Sequence, residues 1–171
     1  MSDLGLTSDA KAMDVTSPET HYQVQCAEVR LLSSQLKPLK PGKSEKAASH
    51  FAFKIQVTIK GSAAHSRLAV HVIAVDEDEK GLPGFELKFI LLGVFVGEPA
   101  TTPEVLAQFA RLYTLSILWP YAREYTSDQL RRVGQPFDAL PIINPQVVTE
   151  RLIEAGLVEV EGEAVKTLVD D

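Results

Sequence analysis

Apolar and polar residues alternate strictly between Phe51 and Lys60. Every odd position from Phe51 to Ile59 is apolar, and the residues between them include Lys54 and Gln56. A period of two places alternate side chains on opposite faces of an extended chain. The segment is therefore predicted to be a β-strand with one buried face.

Three more strands are predicted, over residues 22–32, 67–75 and 85–96. The first of these changes parity between Cys26 and Val29, which indicates a bulge. Short polar turns separate the strands, and no crossover helix fits between them. The pattern therefore predicts an antiparallel meander rather than a parallel sheet.

Helical signals begin only after the fourth strand. Thr101 or Thr102 can cap a helix that starts at Pro103, and Pro120 marks a second helical start, with Gly134 as its stop. Asn144 precedes a proline and opens a last helix. Strands followed by helices predict an α+β fold: a four-stranded antiparallel sheet followed by helices packed on one face.

The chain has 171 residues, the size of one domain. Residues 1–20 are polar and small, with no sustained apolar period, so we expect a disordered N-terminal tail there. Residues 21–156 are predicted to form the folded domain. Residues 157–171 are expected to be a C-terminal tail or a short hairpin.

The third and fourth predicted strands are apolar on both faces. In the fourth, Phe89 and Leu91 alternate with Ile90, Leu92 and Val94. A sheet with helices on one side needs a polar second face. At roughly 25 cal/mol per Å², leaving such a face wet would forfeit on the order of ten kcal/mol. We therefore expect the second face to meet another subunit, a partner or a ligand, and oligomerisation is the least demanding of these.

Composition limits the partners. The net charge is −6, which disfavours binding to the phosphate backbone of nucleic acids. Cys26 is the single cysteine, so the chain has neither an internal disulfide nor a multi-thiolate metal site, and Cys26 is interpreted as a small core residue. No apolar leader or membrane-length apolar run is present, so we predict a cytoplasmic protein without membrane insertion.

Few residues suggest catalysis. The four histidines lack metal-ligand spacing, and neither a metal nor another cofactor is expected. Arg67, His71 and Glu86 lie on adjacent predicted strands and could line a small-ligand or catalytic pocket. Cross-strand charge pairing is the simpler interpretation. Without a nucleophile elbow or paired carboxylates, the chain is not predicted to be an enzyme.

The segment "ILWPYAREYTSDQLRRVGQPFDALPIIN", residues 117–144, resembles the most recognisable region of the SecB family of bacterial export chaperones. Its matching motif positions are Pro120, Arg123, Glu124, Gly134 and Asn144. The likeness covers about residues 21–155. It implies a homotetramer, a dimer of dimers, that holds unfolded or preprotein clients in apolar grooves without ATP.

The resemblance also implies a client-binding surface. Its candidate residues are Phe95, Trp119, Tyr121, Phe137, Leu140, Ile142, Ile143 and Val147. Trp119 and Tyr121 offer flat contact area at low cost in conformational entropy. The alternative, that both rings are core packing, stays open.

One departure from the family concerns its export motor, SecA. SecB contacts SecA through acidic residues on the exposed sheet, and the corresponding positions here are Leu31, Gln35 and Lys88. None is a carboxylate, which argues against SecA docking by the usual surface. SecB-like chaperones of specific clients such as antitoxins are the alternative within the family.

Overall fold

The computed structural model describes residues 24–39, 49–75, 84–134 and 139–162. The predicted tail 1–20 and residues 163–171 lie outside the described residues. In chain order the elements are β1 (Val24–Pro38), β2 (His50–Lys60), β3 (Ala63–Ala74), β4 (Phe85–Gly97), α1 (Pro103–Arg132), α2 (Pro145–Glu154) and β5 (Val158–Glu161).

The described strands form one sheet in the order β1-β4-β3-β2-β5. The prediction of a four-stranded meander is therefore wrong in two respects. First, β1 pairs antiparallel with β4 instead of β2, and the connection after β1 is long enough to carry the chain past β4 and β3 to β2. Second, β5 adds a fifth strand, which pairs in parallel with Ile55–Thr58 of β2.

The bulge predicted in β1 is confirmed. The register of β1 against β4 shifts between Cys26 and Glu28, and again between Leu31 and Ser33. Each extra residue changes which face the following side chains occupy. As a result, Lys37 faces Glu86 on one side of the sheet, while Leu36 lies opposite Leu87 on the other.

A single helix of 30 residues replaces the two helices predicted between Pro103 and Val133. Thr102 caps it as expected, and Gly134 follows its end with a positive φ of 80°. Pro120 lies inside this helix, so its interpretation as a helix start is wrong. A proline in a helix interior costs about 3 kcal/mol, but Leu118, Trp119 and Ala122 around it are all buried, and each large apolar side chain returns about 1.5–3 kcal/mol.

Helix α1 covers one face of the sheet, called here the inner face. Its apolar side chains meet those of β2, β3 and β4 in the main core. Gly93 of β4 lies directly beneath Leu118, where an added Cβ would be only 3.1 Å from a leucine methyl carbon. The missing side chain therefore lets the helix lie close to the sheet.

The opposite or outer face contains fewer exposed apolar residues than the sequence suggested. Ile73 and Leu92 point to this face, yet both are buried within the single chain. Arg30 and Arg67 lie opposite Leu92 on the two neighbouring strands. Across the described part of the chain, the large exposed apolar residues are Leu31, Leu32, Val96, Tyr121, Ile142, Val147 and Leu157, most of them on β1 and near α1 and α2. Part of the apolar excess thus lies away from the outer face, while Val96 and the half-buried Ile90 and Val94 remain on it.

Candidate functional site

The loop of residues 139–144, called here the anchored loop, is held by two side chains of α1. Trp119 donates from Nε1 to the carbonyl of Pro141 at 3.1 Å, and Arg123 donates from Nε to the carbonyl of Leu140 at 3.2 Å. Asn144 then caps α2 by accepting from the backbone N–H of Val147 and its neighbour. Arg123, a position of the SecB-like motif, thus contacts the backbone of the anchored loop.

An aromatic cluster supports this loop from the sheet side. The ring of Trp119 lies 5.9 Å from that of Phe51 and 5.3 Å from that of Phe53. Both phenylalanines are half-buried on β2, beyond the segment that β5 covers. Sequence reasoning placed them on a buried strand face but not near a site. Their distance from Trp119 along the chain hid the cluster.

The candidate client-binding residues divide by burial. Phe95, Trp119 and Leu140 are buried core residues, Ile143 is half-buried, and Phe137 lies outside the described residues. Three are exposed to solvent: Ile142 at 84%, Tyr121 at 48% and Val147 at 41%. Among the candidates that lie within the described residues, only these last three offer substantial free apolar surface in the single chain.

Ile142 is exposed because its neighbours on both sides in the sequence are held in place. Leu140 is fixed under Arg123, and Ile143 packs against the core together with Val148 of α2. A hydrophobic pair on either side of a helix cap fixes the direction in which the chain enters the helix. With both flanks held, the side chain of Ile142 is directed into solvent.

A groove of 300 Å³ lies between β1 and α1. Leu31, Leu91, Tyr121 and Tyr125 supply its apolar part, and the charged residues Arg30, Glu124 and Asp128 also line it. Leu31 is 43% exposed. Among the described strands, β1 pairs with β4 alone, so its other edge is open beside this groove.

The outer face carries a charged cluster around Glu86. Its carboxylate lies 2.6 Å from Nζ of Lys37, 2.8 Å from Nζ of Lys88 and 2.9 Å from Nε2 of His71. Hydrogen bonds from Lys37 and Lys88 lower the pKa of Glu86 from its ordinary 4.5 to about 2. Glu86 therefore stays ionised under its three neighbours.

The predicted trio of Arg67, His71 and Glu86 is only partly brought together. His71 contacts Glu86, but Arg67 lies four residues earlier along β3, roughly 13 Å away at the rise of an extended strand. Glu86 is engaged by two lysines as well, an arrangement typical of charge pairing rather than of a catalytic base.

Next to this cluster the outer face has a shallow depression of 530 Å³. Ala52, Ala69 and Ile90 form its floor, and Lys54 and Lys88 stand at its margin. Gln35, opposite Lys88 in the register, also lines it. Of the three positions compared with the SecA contacts of the SecB family, two therefore border this depression, whereas Leu31 lies in the groove beside α1.

Cys26 is exposed on β1, so its interpretation as a core residue is wrong. Partial desolvation raises the pKa of its thiol, which favours the less reactive protonated form.

Across the described ranges, no three His, Cys, Asp or Glu side chains are grouped to hold a metal ion. Neither of the two described helices is long and apolar enough to cross a membrane.

Together, these elements form an α+β domain in which a long helix packs on a mixed five-stranded sheet and the anchored loop exposes Ile142. No protein-family model matches the chain, and no curated protein matches it. Among solved structures, the chain is similar to a SecB-like chaperone of Mycobacterium tuberculosis, Rv1957, in complex with a ChAD peptide from the Rv1956 HigA1 antitoxin. The TM-score is 0.58 at 22% identity, over 72% of this chain and 93% of that one.

This similarity confirms a SecB-like fold, which the motif in residues 117–144 had indicated. A protein of unknown function from Streptococcus agalactiae also aligns, at 8% identity over 71% of this chain and 98% of that one. Its TM-score of 0.38 is too low to indicate a shared fold.

Proposed function

We propose that the protein is a SecB-like, ATP-independent chaperone that holds non-native polypeptide segments. The observation that carries this proposal is Ile142, an isoleucine that is 84% exposed on a loop held by two side chains. Single exposed apolar residues are common, but one displayed on a fixed loop is pre-organised for contact. The SecB-like fold supports the same conclusion.

The contact surface has two parts in this proposal. Ile142 and Val147 supply apolar area at the anchored loop and the start of α2, and Tyr121 supplies an adaptable ring on α1. The half-buried rings of Phe51 and Phe53 lie beneath the loop, against Trp119. Buried Phe95, Trp119 and Leu140 act by shaping this surface and do not touch the client.

Clients of a specific kind, such as antitoxins, fit this chain better than exported preproteins that are handed to SecA. The similar M. tuberculosis protein is described with an antitoxin peptide. Here Gln35 and Lys88 border the outer-face depression, where docking through carboxylates would need acidic side chains. Export therefore remains the secondary proposal, and the site of action is proposed to be the cytoplasm.

The experiment compares two substitutions of exposed aliphatic residues. Ile142→Ser is expected to weaken suppression of the aggregation of reduced α-lactalbumin, with about tenfold lower client affinity, since burial of such a side chain gives about 1.5–3 kcal/mol. Leu157→Ser changes a residue that is also exposed, at 56%, but lies after α2. Equal behaviour of the two variants, or no suppression by the unaltered protein, contradicts the proposal.

Self-assembly into a homotetramer, a dimer of dimers, is the second part of the proposal. The open edge of the 15-residue strand β1 and the exposed side chains of Leu31 and Leu32 beside it support this. Long unpaired edges readily pair with a second chain. Leu31→Lys should give a smaller species in light scattering after size exclusion, whereas Leu157→Lys should not. A monomeric unaltered protein would rule out the assembly.

A further inference from the structure

Lysines and arginines outnumber carboxylates on the strands of the sheet. Strands β1 to β4 carry six lysines and arginines but only the carboxylates of Glu28 and Glu86, and β5 adds Glu159 and Glu161 at the sheet edge. The chain as a whole has a net charge of −6. The sheet is therefore a positively charged region of an acidic protein.

Glu86 arranges the cations without neutralising the surface that they present. Its side chain is only 14% exposed, whereas those of Lys37 and Lys88 are each 50% exposed. Each ammonium group has three donors, so both lysines keep donors for another acceptor after binding Glu86. The ammonium groups of Lys37 and Lys88 are therefore exposed to solvent, and the carboxylate of Glu86 that orients them lies beneath.

The depression beside these cations has an apolar floor. Ala52 and Ala69 are small, and Ile90 is half-buried, so the floor can receive a modest apolar side chain. Lys54 stands on β2, tied to Glu159 of β5 at 2.6 Å, while Lys88 stands on β4. Because the depression is shallow, a small molecule would bury little of its surface there. An extended peptide could instead cross several strands and contact both lysines.

We propose that the outer face is a docking surface for an acidic peptide segment of a partner protein. Its carboxylates would pair with Lys88, Lys37 and Lys54, and an apolar side chain between them would rest on the floor of the depression. Charge complementarity selects this occupant, because carboxylates meet cations that are already held in place. This surface is separate from the anchored loop, so the two could be occupied together.

The test uses a fluorescein-labelled peptide in which glutamates flank a central leucine, with fluorescence anisotropy as the readout. Binding to the full chain is expected at low salt and should weaken as salt rises. Lys88→Glu is expected to weaken binding about tenfold. The matched control is Lys60→Glu, the same charge change on β2 away from the depression, which should alter affinity by no more than about twofold.

Additional variants and a control peptide distinguish binding at this site from diffuse electrostatic attraction. Lys88→Gln, which adds no repulsion against Glu86, should weaken binding less than Lys88→Glu, and thermal unfolding reports whether either variant is folded. Equal losses from Lys60→Glu and Lys88→Glu would overturn the site in favour of diffuse attraction. Equal binding of a peptide with lysines in place of glutamates would overturn its charge selectivity.

The chain's own acidic residues are an alternative occupant. If the unaltered protein fails to bind the probe, but a variant with residues 76–79 converted to asparagine and glutamine binds it, an internal segment covers the face and the partner proposal is overturned. Failure to bind in both also overturns it. Aggregation assays with Lys88→Glu should match the unaltered protein, so failure here is distinct from failure of the chaperone proposal.

Discussion

Leu91 and Ile90 are adjacent on β4 but experience different surroundings. Leu91 is 4% exposed on the inner face, near α1, whereas Ile90 is half-buried in the outer-face depression among lysines. The inner face is a packed core, and the outer face is a thin apolar layer under charged side chains. Long cationic side chains can cover part of such an apolar layer, and Lys54 and Lys88 border the depression that contains Ile90.

The largest expected loss of stability distinguishes the inner face from the outer face. Leu91→Ala should lower the free energy of unfolding by about 2–5 kcal/mol, because it removes buried methyl groups and leaves a cavity. Ile90→Ala should cost about 1 kcal/mol, since part of that side chain is already in water. Urea denaturation measures both. Similar losses for the two variants would mean that the outer face is packed as tightly as the inner one.

A smaller loss of stability is expected at the contact between α1 and the anchored loop. Trp119→Phe removes the donor to Pro141 and some buried volume, which should cost about 1–2 kcal/mol. The amide of Ile142 should then exchange with deuterium faster than in the unaltered protein. Arg123→Gln, which removes the other tie, provides a second variant. Unchanged exchange in both would show that the loop holds its position without them.

The smallest expected effect concerns the outer face and depends on pH. The pKa of Glu86 is lowered to about 2, so its stabilising contribution is fully present above its ordinary pKa of 4.5 and is lost as pH falls toward 2. Because its lysine partners are half exposed, Glu86→Gln should cost only about 1 kcal/mol at pH 7. The difference between variant and unaltered protein should shrink at pH 3. A difference that is constant with pH would contradict the charge pairing.

The sequence predicted local features of the fold better than its long-range pairing. Alternation at Phe51–Ile59, the bulge after Cys26 and the stop at Gly134 each follow from a few neighbouring residues, and all three are present. The pairing of β1 with β4 depends on contacts distant in sequence. The sequence left residues 157–171 as either a tail or a short hairpin. Strand β5 has only four residues and pairs in parallel with β2, so no adjacent turn indicates its partner.

The SecB-like motif directed attention to the segment that holds Trp119, Arg123 and Asn144, and in the structure these residues anchor the loop and cap α2. Sequence alone could not show that the ring of Trp119 faces inward while Tyr121, two residues later, faces solvent. On a helix, that difference depends on which side meets the sheet.

Pro120 has a mechanical consequence for α1. Without an N–H at this position, the carbonyl of Ser116, one turn earlier, loses its regular helical donor. The helical hydrogen-bond pattern therefore lacks one bond between the N-terminal half of α1 and the half that bears Arg123, although both halves pack on the sheet. Bending meets least resistance at such a gap, and any tilt of the far half would carry Arg123 and the displayed Ile142 with it.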